Sequence, residues 1–169
     1  RLPHHFGATK ALNITTRTAR GEFLFLLSPD AEVTPGLIGE LADRLVSTGD
    51  AAAVTPLLVD TKGQPATRHL QPLPTPESLG RICDGRAAPV FPVDLTQESV
   101  AVPYAGREAL MVRKQFVAGM NYFDERFGEY WADADLAMKI RQAGKKIRLY
   151  PAIRATWHAA HKAPPSDTL

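Results

Sequence analysis

FLFLLSPDAEVTPG, residues 23–36, holds the stretch from which the fold is read. Its five leading apolar residues show no alternation, the pattern of a strand covered by helices on both faces of a sheet. Pro29 cannot donate to a sheet ladder and ends the pairing. Asp30 is thereby expected just past the carboxyl end of a central strand, where ligands bind in open α/β sheets. Thr34-Pro35-Gly36 reads as the start of a helix, with Thr34 as N-cap and Pro35 in the first helical position.

Working outward, the spacing of Ala8, Ala11, Leu12 and Ile14 predicts a helix over 6–20 that stops at Arg20-Gly21. Residues 36–48 place Leu37, Leu41 and Leu45, with Ile38 and Val46, on one helical face. Residues 52–59 read as a strand, and Asp60-Thr61-Lys62-Gly63 as a turn into a second short one. Residues 71–98 are proline-dense and without a firm period, a long irregular loop of the kind that often carries function. A strand is expected over 108–112 and a helix over 135–142, with Leu136 and Ile140 inward and Gly144 as its C-terminal stop. Two short strands, 147–150 and 153–157, lead into a polar tail at 162–169. The order of elements is that of one α/β domain with a mixed sheet.

With 169 residues, 44% hydrophobic and 22% charged, the chain has the material of a single globular domain. A net charge of +2 with dispersed basic residues gives no reason to expect a nucleic-acid partner. The single cysteine, Cys83, excludes an internal disulfide and suits a reducing compartment. No apolar run reaches the roughly 20 residues of a membrane span. The chain opens at Arg1, and its first clear strand already reads as a central one. It is therefore expected to be the carboxyl-terminal portion of a larger domain, with an exposed sheet edge that favours homo-oligomers.

Three places between elements could carry chemistry. Asp30 is the first. Asp133 and Asp135, in EYWADADLAMKIRQAG (129–144), bracket a helix start, where both can face one volume and the helix dipole favours carboxylates. His158, in WHAAHKAP (157–164), follows a strand, with His161 close behind. Carboxylates with one imidazole suit Mg²⁺ or Mn²⁺, and a spare carboxylate can take a proton from an attacking hydroxyl. Each residue also has a structural use. Asp30 can cap a turn, Asp135 can cap a helix, and His158 and His161 can be a surface pair. Trp131 can be a core aromatic as well as a sugar contact.

Taken together, SPDAEVTPG, the pattern from Arg113 through FDERF (123–127), YW (130–131), Asp133, Asp135-Leu136 and Arg141 to Gly144, and the late histidine resemble the family 2 glycosyltransferases of the GT-A fold. The rhamnosyltransferase-like, cell-surface polysaccharide branch is the nearest in pattern. Gly7, Asn13, Ala19, Gly21, Glu22, Leu27, Pro29 and Asp30 fall in register with that family's leading motif. The resemblance implies that Asp30 and His158 hold a divalent metal, Mg²⁺ or Mn²⁺, on the donor diphosphate. It implies that Asp133 is the general base of an inverting transfer. Ser28, Trp131 and Asp135 are the expected substrate contacts. The implied partners are a nucleotide-sugar donor and a hydroxyl acceptor, either a sugar or a lipid-linked glycan. The implied place is the cytoplasm, including the inner face of the membrane.

Several residues depart from the family pattern. Ser28 stands for Asp or Asn, Ala132 for Glu, Lys139 for Arg, Met120-Asn121-Tyr122 for a Gly-Gly turn, and Arg107-Glu108 for Gly-Ala. The family's nucleotide-reading first half has no counterpart here. Two other readings follow from the same residues. One is a degenerate, non-catalytic domain acting in assembly. The other is a metal-dependent hydrolase built on Asp30, Asp133, Asp135 and His158.

Overall fold

A computed structural model of the chain describes residues 7–86 and 89–158, so His161 and the tail at 162–169 lie outside the described residues. Helix α1 (Ala8–Thr18) leads into strand β1 (Phe23–Leu27), the two-residue β2 (Ala31–Glu32), helix α2 (Leu37–Ser47) and strand β3 (Ala51–Val59). Then come β4 (Leu70–Gln71), α3 (Pro76–Cys83), β5 (Val100–Val102), β6 (Tyr104–Ala105), β7 (Ala109–Arg113) and α4 (Lys114–Gly119). Helix α5 (Ala132–Gln142) and the long strand β8 (Lys146–Trp157) complete it. The main sheet runs β1-β7-β3-β8-β2, with β5 also on β8, and β4 pairs with β6 apart from it. Among the described residues only β3 and β8 run parallel to each other as neighbours; the other pairs are antiparallel.

The strand buried on both faces is β3, whose every residue is buried between β7 and β8. The expectation of a central strand at 23–27 is corrected: among the described residues β1 pairs with β7 alone and forms the sheet edge. Its apolar run is continuous because Leu24 and Leu26 enter one core while Phe23 and Phe25 pack against the other. The first core lies under α4 and α5 and holds Val117, Leu136 and Ile140. The second lies under α2 and holds Leu37, Leu41 and Leu45.

Other boundaries moved for identifiable reasons. Helix α2 begins at Leu37, with Gly36 as its cap at φ 93, a left-handed conformation that suits glycine; Thr34 makes no side-chain cap. Ile38 and Val46 are exposed at 51% and 63%, and the inward face is made by the three leucines with Ala42 packed beside them. In α1 the buried stripe is Thr9, Asn13 and Thr16 rather than its apolar residues. Thr9 and Asn13 of that stripe dock on a loop whose backbone needs hydrogen-bond partners. The two late strands are one, β8, whose register against β3 jumps from Pro56↔Tyr150 to Leu57↔Arg154, an irregularity at Pro151. The second strand expected after the turn at 60–63 is reduced to a single bridge between Val59 and Pro65. The stretch 71–98 contains α3 and the end of β4 rather than loop alone. No helix among the described residues is long and apolar enough to cross a membrane.

Strands β1, β3 and β8 point the same way, since β1 and β3 are each antiparallel to β7 and β3 is parallel to β8. Their carboxyl ends, together with the start of β7, therefore meet at one end of the sheet. At the opposite end Asp50 fastens the starts of β3 and β8. Its carboxylate takes Arg148 through Nε at 3.1 Å and Nη2 at 2.8 Å, and Lys146 Nζ at 2.9 Å. Those cations hold the Asp50 carboxyl well below the usual aspartate range.

Candidate active site

Ser28, Pro29 and Asp30 form a turn at the end of β1. The Ser28 N–H still donates to Glu108 O at 2.9 Å, which closes the ladder with β7, and the Ser28 carbonyl accepts from Ala31 N–H at 3.0 Å. The Ser28 hydroxyl accepts from Asp30 N–H at 3.3 Å, so it organises the turn. Asp30 is exposed. Strand β2 then pairs with the last residues of β8, Ala31 with Trp157 and Glu32 with Thr156, and His158 N–H donates to Asp30 O at 3.0 Å. Residues distant in sequence, Asp30 and His158, are thus neighbours because a two-residue strand ties them together. The His158 Nε2 lies 2.7 Å from the Glu32 carboxylate.

A carboxylate and an imidazole are suitable donors for Mn²⁺ or Mg²⁺, with diphosphate oxygens and water to fill the shell. Among the described residues, no three His, Cys, Asp or Glu side chains are grouped closely enough to hold a metal unaided. The four-residue centre required by the hydrolase reading is therefore not formed. Glu32 already engages the imidazole, and it would have to share or release His158 for a cation to bind there.

The second element of the site is Asp133. Sequence spacing placed it and Asp135 ahead of a helix, facing one volume. Helix α5 instead starts at Ala132, so both lie in its first turn. Two residues apart on a helix they do not share a face. Asp135 turns to Lys139, one turn on, at 2.7 Å. Asp133 turns to β6 and the start of β7. Its Oδ2 accepts from Arg107 N–H at 3.2 Å and its Oδ1 from Ala134 N–H at 3.0 Å. The Tyr104 hydroxyl also hydrogen-bonds to it. Burial pushes the Tyr104 pKa well above 10.0, and the Asp133 charge adds to the effect, so this hydroxyl keeps its proton and donates.

Burial likewise raises the Asp133 pKa, with the nearby Glu108 charge as the second cause, against the opposing pull of Arg107 and Tyr104. The Arg107 guanidinium is turned to Glu129 O at 2.7 Å. Glu108 folds back over Gly106: a Cβ there would come within 2.0 Å of the Glu108 carboxylate. The Arg107-Glu108 pair, a departure in the sequence, thus forms part of the wall around Asp133.

The loop between α4 and α5 sets where Asp133 stands, and it is held by α1. The Asn13 side chain donates to Phe123 O at 2.9 Å and accepts from Phe123 N–H at 3.0 Å, as a neighbouring strand would, and donates further to Glu125 at 3.0 Å. Thr9 bonds Gly128 O through both its N–H at 3.0 Å and its hydroxyl at 2.6 Å, and Ala8 N–H reaches Glu129 at 3.2 Å. The tight turn expected of a Gly-Gly pair is made by Asn121 at φ 63 and Tyr122 at φ 65, both left-handed without glycine. Trp131, at φ 70, is left-handed as well, immediately before α5. Its indole Nε1 is buried without an acceptor among the described residues, and its ring packs partly on the first core. Such backbone conformations cost about 1–3 kcal/mol each and collect at functional sites.

The structure therefore brings Ser28, Asp30 and His158 to one end of the sheet, with Asp133 beside the same end through Arg107 and Glu108. Asp135 is set apart by its lysine. Tyr104, Arg107 and Glu108 were missed as site residues. The signal for them was faint, a tyrosine in a two-residue strand and a charged pair where small residues were expected.

Solved structures share this fold. A structure of GalNAc-T7 with UDP, GalNAc and Mn²⁺ matches with a TM-score of 0.67 at 16% identity, over 96% of this chain and 32% of that one. The mannosyltransferase PcManGT from Pyrobaculum calidifontis, in complex with GDP-Man and Mn²⁺, matches with a TM-score of 0.56 at 16% identity, over 96% of this chain and 38% of that one. No protein-family model and no curated protein matches the chain. The fold is that of GT-A glycosyltransferases, and the chain spans well under half the length of either structure.

Proposed function

We propose that this chain carries the metal and acceptor half of an inverting glycosyltransferase. It would move a sugar from a nucleotide diphosphate to a hydroxyl acceptor in cell-surface glycan synthesis, in the manner of the family 2 enzymes, at the cytoplasmic side of the membrane. The observation that carries the reading is Asp133. This carboxylate is fixed at the amino end of a helix by the Arg107 and Ala134 N–H groups, and its proton affinity is raised by burial.

A general base works best when its pKa approaches the working pH, and burial moves Asp133 in that direction. Tyr104 and Arg107 N–H keep the carboxylate oriented while it accepts the acceptor's proton. The freed oxygen attacks the anomeric carbon from the face opposite the diphosphate. The carbon–oxygen bond to the diphosphate breaks as the new glycosidic bond forms, and the configuration inverts. In this reading Asp30 and His158, with Glu32 at hand, would hold Mn²⁺ or Mg²⁺, which when bound would neutralise charge on the departing diphosphate. Ser28 shapes the turn that presents Asp30, and Trp131 is the aromatic proposed to border the acceptor. Asp135, tied to Lys139, stabilises the helix instead.

The test is nucleotide release from UDP-, GDP- and dTDP-sugars, with Mn²⁺ and a panel of glycan acceptors. Asp133→Asn should lower kcat by roughly 10²–10⁴-fold while nucleotide affinity is kept. Asp30→Ala should weaken both rate and affinity. Small and equal effects from the two substitutions would refute these roles.

A further inference from the structure

Arg107 grips the approach to α5 at two points. Its backbone N–H donates to Asp133 Oδ2 at 3.2 Å, and its Nη2 donates to Glu129 O at 2.7 Å. Between those points stands Trp131, left-handed at φ 70 as the residue that caps α5. A bulky side chain keeps that conformation only where its surroundings hold the backbone on both sides. Here Glu129 is held twice, through its carboxylate by Ala8 N–H at 3.2 Å and through its carbonyl by the Arg107 guanidinium. Beyond Trp131, Asp133 is held by Arg107 N–H and the Tyr104 hydroxyl.

The same short loop reaches the turn that carries Asp30. Glu108, next in sequence, accepts from Ser28 N–H at 2.9 Å, and Gly106, the residue before, donates to His69 O at 2.9 Å. Two consecutive residues, Arg107 and Glu108, thus tie Asp133 to the Ser28–Asp30 turn. The Arg107 guanidinium is turned to a carbonyl rather than to Asp133. Its charge still acts on Asp133 and opposes the effects of burial and of the Glu108 charge. Asp135, on the same helix, is occupied by Lys139.

We propose that the Arg107 side chain is a positioning residue for the base. By clasping Glu129 O it holds Trp131 in its left-handed turn and so fixes the direction in which α5 presents Asp133. The effect on rate rests on the transferase reading, whereas the clasp itself does not.

Arg107→Met keeps the aliphatic stem and removes both the charge and the donors, and two readouts on the 169-residue chain need no activity. Glu129 O and Tyr130 N–H belong to one planar peptide group, and that N–H donates to Phe127 O at 3.2 Å. Without the clasp the Tyr130 amide should exchange at least about tenfold faster, as expected for the loss of one charge-assisted hydrogen bond, while β3 keeps its protection. The Asp133 carboxyl, followed by carbon-13 NMR, should titrate at higher pH, because a cation that favours its charged form is gone. Arg107→Lys restores the charge but not the planar fork. It should leave the Asp133 titration near wild type while Tyr130 still exchanges faster, and it decides the matter if the methionine variant does not fold. In a transfer assay Arg107→Met should lower kcat by up to roughly 10²-fold with nucleotide and Mn²⁺ affinity unchanged. A wild-type chain that transfers no sugar would remove the transferase reading, and exchange and titration would still decide on the clasp. Unchanged Tyr130 exchange in the folded variants, or a loss of protection spread equally over β3, would overturn the proposal.

Discussion

Replacing Asn13 by alanine should loosen the segment that carries Asp133 from a distance of more than a hundred positions in sequence. Asn13 and Phe123 are 4% and 3% exposed, and the amide of one meets both backbone groups of the other. Alanine leaves a buried N–H and a buried C=O without partners, at about 1–3 kcal/mol each. The combined loss should be about 2–5 kcal/mol, the bond to Glu125 adding little because Glu125 is exposed. For a chain of this size that corresponds to a fall in melting temperature of roughly 5–15 °C. Asn13→Asp should be as harmful: it keeps the acceptor for Phe123 N–H but opposes a carboxylate to Phe123 O and to Glu125. Thr9→Val, which removes one bond to Gly128 O, should cost only about 1 kcal/mol. Thermal and urea unfolding of the three variants measure these differences. If Asn13→Ala lay within about 0.5 kcal/mol of wild type, the ordinary range of a neutral surface change, the loop would not depend on this amide.

Two further perturbations act through charge. Tyr104→Phe removes a hydrogen bond that favours ionised Asp133, so the Asp133 pKa should rise further and the acid limb of kcat/KM should move to higher pH. The same carboxyl binds its proton more tightly in the folded chain than in the unfolded one. Its contribution to stability is therefore full below the unfolded pKa of about 4 and lost as pH rises through the folded value. Asp133→Asn should accordingly melt higher than wild type at neutral pH, with the difference shrinking in acid. Asp50 has the opposite sign, since its pKa is lowered by Arg148 and Lys146. Its stabilisation is present above about pH 4 and fades as pH falls below it. Because these side chains are partly exposed, Asp50→Asn should cost only about 1 kcal/mol at pH 7 and progressively less in acid, measured by melting at a series of pH values.

Hydrophobic pattern made the main layers readable. Strand β1 stands at its expected residues, and β3 and α2 lie within one residue of theirs, because each has an apolar run or a leucine repeat that burial satisfies. What the pattern could not show was which apolar run lies in the middle of the sheet. Both faces of β1 and of β3 meet apolar cores, and only strand pairing distinguishes an edge from a centre. The polar stripe of α1 was missed because a periodicity argument looks for apolar residues, whereas Thr9 and Asn13 are buried against backbone. In the candidate site, only the family resemblance linked Asp30 with His158, and β2 brings their backbones together. The pairing of Asp133 with Asp135 failed because moving the helix start to Ala132 placed them on different faces. Tyr104, Arg107 and Glu108 come from a separate two-residue strand and a loop, where sequence has no period to follow.

The direct measurement is a calorimetric titration of the chain with UDP, GDP and dTDP, with and without Mn²⁺, repeated on Asp30→Ala and Asp133→Asn. If the carboxyl ends of β1 and β8 form a diphosphate site, one of these nucleotides should bind the wild type in a manganese-dependent way. Asp133→Asn should bind it equally well, and Asp30→Ala should lose at least about tenfold, roughly 1.4 kcal/mol. A folded wild-type chain that binds none of them, or an Asp30→Ala variant that binds as tightly as wild type, would contradict the assignment.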